Sequence, residues 1–162
     1  MENDMPKFSA LPKYTPNAED SVLAQDEARE PSPKKLILLV EDYESNIFLI
    51  SLYLEGLGYE YEIARNGVEA FEKSKSRKYD VILMDVQMPD LNGIDATKLI
   101  RKYEIEENLT PIIIIGLTAH ALSGDREYCL AAGMDDYLAK PLSLDLLKIK
   151  LTNYIEISKL KP

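Results

Sequence analysis

The sequence predicts a doubly wound α/β fold on a parallel sheet, and three observations carry that prediction. Short apolar runs alternate with helical periods five times between residues 35 and 158. Three of those runs, at 35–40, 80–84 and 111–116, are apolar almost throughout, as parallel strands covered on both faces must be. The length, 162 residues and 18.4 kDa, suits one well-buried domain and is too short for two.

Taken in order, strand one is expected over 35–40 (KLILLV), where Leu36 to Val40 are uninterrupted. Helix one follows at 45–57, with Ile47, Ile50, Leu54 and Leu57 on one stripe and Gly56 and Gly58 ending it. Strand two, 59–63 (YEYEI), alternates polar and apolar residues, which puts it near a sheet edge. Helix two is expected at 67–76, strand three at 80–84 (DVILM) and helix three at 93–106. Strand four is 111–116 (PIIIIG), and helix four, 122–132, is closed by Gly133. Strand five, 134–138 (MDDYL), is short and polar and takes the other edge. Helix five spans 143–158, capped by Ser143, with Leu144, Leu147, Leu151 and Ile155 facing inward.

Residues 1–34 differ in kind. They hold five of the nine prolines and no glycine, and they carry −3 of the net −9, leaving −6 for residues 35–162. Such a stretch buries too little apolar surface to offset its ordering entropy, so it is expected to be a flexible tail or linker, with a short helix conceivable over Ala18 to Arg29. Residues 35–158 form the expected domain, and 159–162 a short C-terminal tail.

Composition narrows the function. A net charge of −9 argues against direct nucleic-acid binding and against a polybasic membrane anchor. The apolar runs are too short to span a bilayer, and Met1 to Asp4 lack a basic signal-peptide start. One cysteine, Cys129, permits no internal disulfide and points to the cytoplasm, while one histidine, His120, excludes a His-rich zinc site.

In a doubly wound sheet, functional groups collect beyond the carboxyl ends of the strands. Strand one ends in Glu41-Asp42, strand three in Asp85, strand four leads to Thr118, and strand five leads to Lys140-Pro141. Three carboxylates, a hydroxyl and an ammonium therefore share one rim. Clustered carboxylates must bind protons or a cation, and with oxygen ligands only, Mg²⁺ is the natural cation. Metal and lysine together can offset the charge of a phosphoryl group, with Asp85 as nucleophile. The pattern points to phosphoryl transfer.

The stretches LLVEDYESN (38–46), DVILMDVQMPDLNGIDATKLIR (80–101), LTAHAL (117–122) and AAGMDDYLAKPLSLDLL (131–147) resemble the receiver domain of two-component response regulators, particularly receivers of hybrid histidine kinases and phosphorelays. The resemblance implies a flavodoxin-like (βα)₅ sheet of order 2-1-3-4-5. It implies Asp85 as phosphoacceptor and metal ligand, Asp42 as direct Mg²⁺ ligand, Glu41 acting through water, and the Gln87 backbone carbonyl as a third protein ligand. Lys140 would pair with the carboxylate and then with the phosphoryl group, across a cis Lys140–Pro141 bond. Thr118 would be the switch hydroxyl and Tyr137 the aromatic that follows it, although a half-buried tyrosine with a wet hydroxyl is the plainer reading of Tyr137. Gln87 and His120 would set how long the phosphoryl group survives water, while His120 also reads as an exposed loop histidine. Ser45, Asn46, Leu49, Pro141 and Leu142 would ring the mouth where a phosphohistidine helix bundle docks.

The resulting expectation is a phosphoacceptor that takes its phosphoryl group from a histidine kinase or histidine phosphotransfer protein and switches conformation, and that is no enzyme beyond its own phosphorylation and dephosphorylation. A terminal receiver of a longer hybrid kinase is the alternative, with the Met1 start leaning toward a stand-alone chain. A passive binding module also stays open, as does a homodimer through helices four and five. Two other classes fit less well. An aspartate-nucleophile phosphohydrolase usually needs an acid where Gln87 stands, and an FMN site would be repelled by Asp42 and Glu44.

Overall fold

The computed structural model describes residues 34–119 and 124–160. The expected N-terminal tail, the helix over Ala18–Arg29, His120 and the first residues of helix four lie outside them. Ten elements alternate along the described residues: β1 (Leu36–Val40), α1 (Glu44–Gly56), β2 (Glu60–Ala64), α2 (Gly67–Ser76), β3 (Val81–Asp85), α3 (Gly93–Glu106), β4 (Ile113–Thr118), α4 (Asp125–Ala131), β5 (Asp136–Ala139) and α5 (Leu144–Leu160). The five strands among the described residues are all parallel, in the order β2-β1-β3-β4-β5, so the alternating strand β2 and the short, polar strand β5 do take the edges.

Period-two alternation divides the apolar strands between two cores. Ile37, Leu39, Leu83, Ile115 and Leu117 face α1 and α5, where Ile47, Ile50, Leu54, Leu147, Leu151 and Ile155 meet them. Leu38, Val40, Ile82, Met84 and Ile114 face the other side and pack on Ala70, Ile94, Ile100 and Cys129. Because β1, β3 and β4 are covered on both faces, their sequences carry no alternation of polarity.

Several expected boundaries move. β4 begins at Ile113, not at Pro111, because Pro111 has no N–H to give and the Ile112 N–H donates to Glu104 Oε1 at 2.7 Å instead of entering the ladder. The strand then runs on to Thr118, which pairs with Ala139. Gly56 and Gly58 do end α1: Gly56 is its last helical residue, and Gly58 takes the left-handed position (φ +80°). Leu57 becomes the cap residue and is half-buried. Leu144 is 41 % exposed, because it stands in the first turn of α5, at the rim, before the helix has run onto the sheet. The Ser143 cap is present, with Oγ accepting from the Leu146 N–H at 3.4 Å. Stronger caps stand at Asn66 and Asn92, whose Oδ1 atoms accept from Glu69 N (2.8 Å) and Asp95 N (2.9 Å).

The turn from β3 to α3 folds back closely on the strand end. Gly93 donates its N–H to Val86 O at 3.1 Å, and a Cβ built there would lie 2.0 Å from Asp85 O and 2.9 Å from Met84 Cγ. No side chain fits this approach. Replacing Gly93 with Ala is expected to lower stability by roughly 1–3 kcal/mol, the usual cost of overpacking, as read by urea denaturation.

Candidate functional site

The carboxyl ends of β1, β3, β4 and β5 bring the predicted residues together. Lys140 Nζ lies 2.7 Å from Glu41 Oε2 and 2.8 Å from Asp85 Oδ2, so one ammonium bridges two carboxylates. Glu41 is fully buried and Asp85 is 4 % exposed, whereas Asp42 faces solvent. One carboxylate oxygen from each of Glu41, Asp42 and Asp85 lies within 4.8 Å of the others. The remaining oxygens are also used: Glu41 Oε1 accepts from Tyr43 N and Asp85 Oδ1 from Gln87 N, both at 3.2 Å.

The backbone fixes this arrangement. Lys140 N donates to Thr118 O at 2.7 Å, tying the end of β5 to the buried Thr118 at the end of β4. Val86 N donates to Leu117 O at 2.9 Å, which holds the chain leaving β3 against β4. The Lys140–Pro141 bond is cis.

Electrostatics follow from this geometry. Burial pushes the Asp85 carboxyl up to about 6; the hydrogen bond from Lys140 opposes the rise and the Glu41 charge adds to it. Burial disfavours the Lys140 ammonium, yet its hydrogen bonds to Asp85 and Glu41 and their charges outweigh that cost and hold its pKa above the ordinary lysine value. The donor set is all oxygen and carries three acids, with one lysine to balance them. This suits a hard divalent cation such as Mg²⁺, which binds through one or two carboxylates and keeps several waters.

The other predicted residues divide. Tyr137 is half-buried, packs against the α2–α4 side of the core, and has its ring centroid 6.0 Å from Lys150 Nζ. Asn46, Leu49, Pro141 and Leu142, with Ile50 and Lys140, line a small cleft of about 50 Å³ beside the site. Leu142 is buried and forms its wall; Ser45 is exposed on the same helix. Sequence reasoning did not single out Phe48 and Leu52, although they are 66 % and 48 % exposed on α1. Two large apolar residues off the inward stripe were the available signal. It also did not foresee that Lys140 would be shared with Glu41.

This rim of acids and lysine on a 2-1-3-4-5 sheet defines a phosphoryl-receiving signalling domain, and comparison with known proteins agrees. Residues 37–152 match the response regulator receiver domain family, and the chain belongs to it. It is 46 % identical over 120 residues to hybrid signal transduction histidine kinase G of Dictyostelium discoideum, covering 73 % of this chain and 3 % of that protein. It is 39 % identical over 137 residues to the aerobic respiration control sensor protein ArcB of Escherichia coli, covering 85 % of this chain and 17 % of ArcB. The chain thus spans a small part of the length of these relatives. Among solved structures, it resembles a chain from the co-crystal of the Saccharomyces cerevisiae phosphotransfer protein Ypd1 with the Ssk1 receiver domain: TM-score 0.74, 34 % identity, 78 % of this chain and 92 % of that one. It also resembles the receiver domain of sensor histidine kinase PA1611 from Pseudomonas aeruginosa, which has a magnesium ion in its active-site cleft: TM-score 0.69, 43 % identity, 76 % and 98 % coverage.

The raised Asp85 pKa has a sign for stability. Folding favours the protonated carboxyl, so Asp85 costs nothing below the ordinary value of 3.8 and destabilises the metal-free protein as pH rises through about 6. In chelator, Asp85→Asn should be more stable than wild type at neutral pH by roughly 1–3 kcal/mol. Thermal melts of the two proteins across acidic and neutral pH should show this gap closing as pH falls.

Proposed function

We propose that the domain receives a phosphoryl group on Asp85 from a phosphohistidine of a partner protein, with Mg²⁺ held by Asp42, Asp85 and the Gln87 backbone carbonyl, and with Glu41 behind them. The observation that carries this reading is the nearly buried Asp85, set against Lys140 and within reach of two further acids. In the transfer, a carboxylate oxygen of Asp85 forms a bond to phosphorus as the histidine N–P bond breaks, and the nitrogen keeps the electron pair. When bound, Mg²⁺ offsets charge on the phosphoryl oxygens. Lys140 starts paired to the carboxylate and is near enough to follow the incoming charge, while Glu41 keeps that ammonium oriented. Thr118 supplies a hydroxyl at the end of the adjacent strand, and a shift of Thr118 with Tyr137 is the conformational readout, a change in populations biased by the new charge. Gln87, and His120 beyond β4, set how readily water reaches the phosphoryl group.

The domain is a phosphoacceptor that promotes only its own phosphorylation and dephosphorylation. Its partner is a histidine kinase or a histidine phosphotransfer protein; the yeast neighbour, a receiver crystallised with such a protein, supports that partner class. The docking face is α1, with Ser45, Asn46 and Leu49 beside Pro141 and Leu142, extended by the exposed Phe48 and Leu52. Among the described residues no helix is long and apolar enough to cross a membrane, and the cytoplasm, where a lone buried Cys129 stays reduced, suits the activity.

Intact mass after incubation with a small acyl phosphate and Mg²⁺ tests the reading. Wild type should gain one phosphoryl group, and Asp85→Asn or added chelator should abolish the gain. Gain by Asp85→Asn would show that Asp85 is not the acceptor. Lys140→Ala should slow uptake by about 10²-fold or more, the usual cost of losing one charge-stabilising donor. Leu49→Ala and Phe48→Ala should slow transfer from a phosphohistidine protein while leaving uptake from acyl phosphate unchanged, because only the protein donor touches that face.

A further inference from the structure

At the pole opposite this rim, the turns α2–β3 and α3–β4 enclose a cleft of about 360 Å³. Lys75, Arg77 and Lys78 line one side with two serines, Leu109, Thr110 and Ile112 line the other, and no carboxylate is among the lining residues. In a chain of net charge −9, the segment 73–78 (KSKSRK) holds four cations in six residues. Cations in the last turn of a helix complement its dipole, which accounts for Lys73 and Lys75. It does not account for Arg77 and Lys78, which lie past the helix, or for an aliphatic wall on which Leu109 is 49 % exposed.

We propose that this cleft docks an acidic polypeptide segment of a partner protein, with one apolar side chain on Leu109 and Ile112 and carboxylates on Lys75, Arg77 and Lys78. Present ion pairs leave room for this. Lys75 pairs with Glu72 at 2.9 Å across one helical turn, Arg77 pairs with Glu62, and Lys78 makes no ion pair among the described residues. The exposed Lys75–Glu72 pair is weak and exchanges readily. Ser74 and Ser76 Oγ donate to the Phe71 and Lys73 carbonyls, so neither hydroxyl proton is free for a compact phosphate. The negative end of the α2 dipole also disfavours a small dianion in the cleft, whereas an extended segment sets its carboxylates out on the rim. Because the cleft lies at the amino ends of β3 and β4, the proposal stands apart from the phosphoacceptor reading.

Residue-resolved ¹H–¹⁵N NMR on the full chain, without Mg²⁺, tests it with two blocked peptides, DELFDE and KKLFKK. The acidic peptide should give saturable shifts confined to amides around 74–78 and 109–112, weakening as salt is raised. The double variant Lys75→Glu/Lys78→Glu should weaken its binding by about five-fold or more and strengthen binding of the basic peptide. Unchanged amides elsewhere would confirm that the variant is folded, and Lys78→Ala, which removes a side chain with no ion pair, should weaken the acidic peptide in the same direction. Equal shifts from both peptides, no saturation, or displacement of the acidic peptide by millimolar-range inorganic phosphate would overturn the proposal, the last in favour of a small-anion site.

Discussion

One ammonium between two buried carboxylates is the constraint on which the rest of this structure depends. Glu41 and Asp85 lie at the ends of neighbouring strands with almost no access to water, and Asp42 stands close by. Left alone, these carboxylates would repel each other. Lys140 reaches both buried members at hydrogen-bond distance, which neutralises part of the charge and leaves the remainder for a cation. The residual negative charge suits a hard divalent cation, which full neutralisation by the lysine would leave nothing to attract.

The fold serves this cluster. Glu41 and Lys140 are 99 residues apart in sequence, and only a parallel sheet of this order brings their strand ends to one rim. Main-chain bonds then set the register of the rim: Lys140 to Thr118, Val86 to Leu117, and Gly93 to Val86. Each of these fixes where a side chain begins, so that the Lys140 ammonium ends 2.7 Å from Glu41 Oε2 and 2.8 Å from Asp85 Oδ2. The two apolar layers beneath hold the strands and leave the polar groups no place but the ends.

Most of this was legible in the sequence, because its signals are local. Unbroken apolar runs identify the central strands, and alternation in YEYEI together with the polarity of MDDYL identifies the edges. The acids and the lysine could be placed because they immediately follow strands. What was not legible depends on distant partners. The late start of β4 needs the carboxylate of Glu104, eight residues upstream, to claim the Ile112 N–H. The exposure of Leu144 reflects where α5 begins relative to the sheet, which periodicity does not encode. The sharing of Lys140 with Glu41 is a matter of side-chain reach across the rim, and no spacing rule reports it. Arg101 is a further case: it donates to Gly133 O and Ile112 O and pairs with Glu104 and Asp135, joining α3 to the segments that enter β4 and β5 through contacts that span up to 34 residues.

The two poles of the domain thus carry opposite characters. The carboxyl ends of the strands gather acids around a lysine, while the amino ends of β3 and β4 gather cations beside an aliphatic wall. At the first pole, burial and the Glu41 charge raise the Asp85 carboxyl above its ordinary value, against the opposing hydrogen bond from Lys140. Carbon-13 NMR of the Asp85 side-chain carboxyl, titrated with acid in metal-free protein, measures this directly. A midpoint near 6, rising further in Lys140→Met and falling when Mg²⁺ is added, is the predicted result. A midpoint at the ordinary 3.8, indifferent to Lys140, would contradict it.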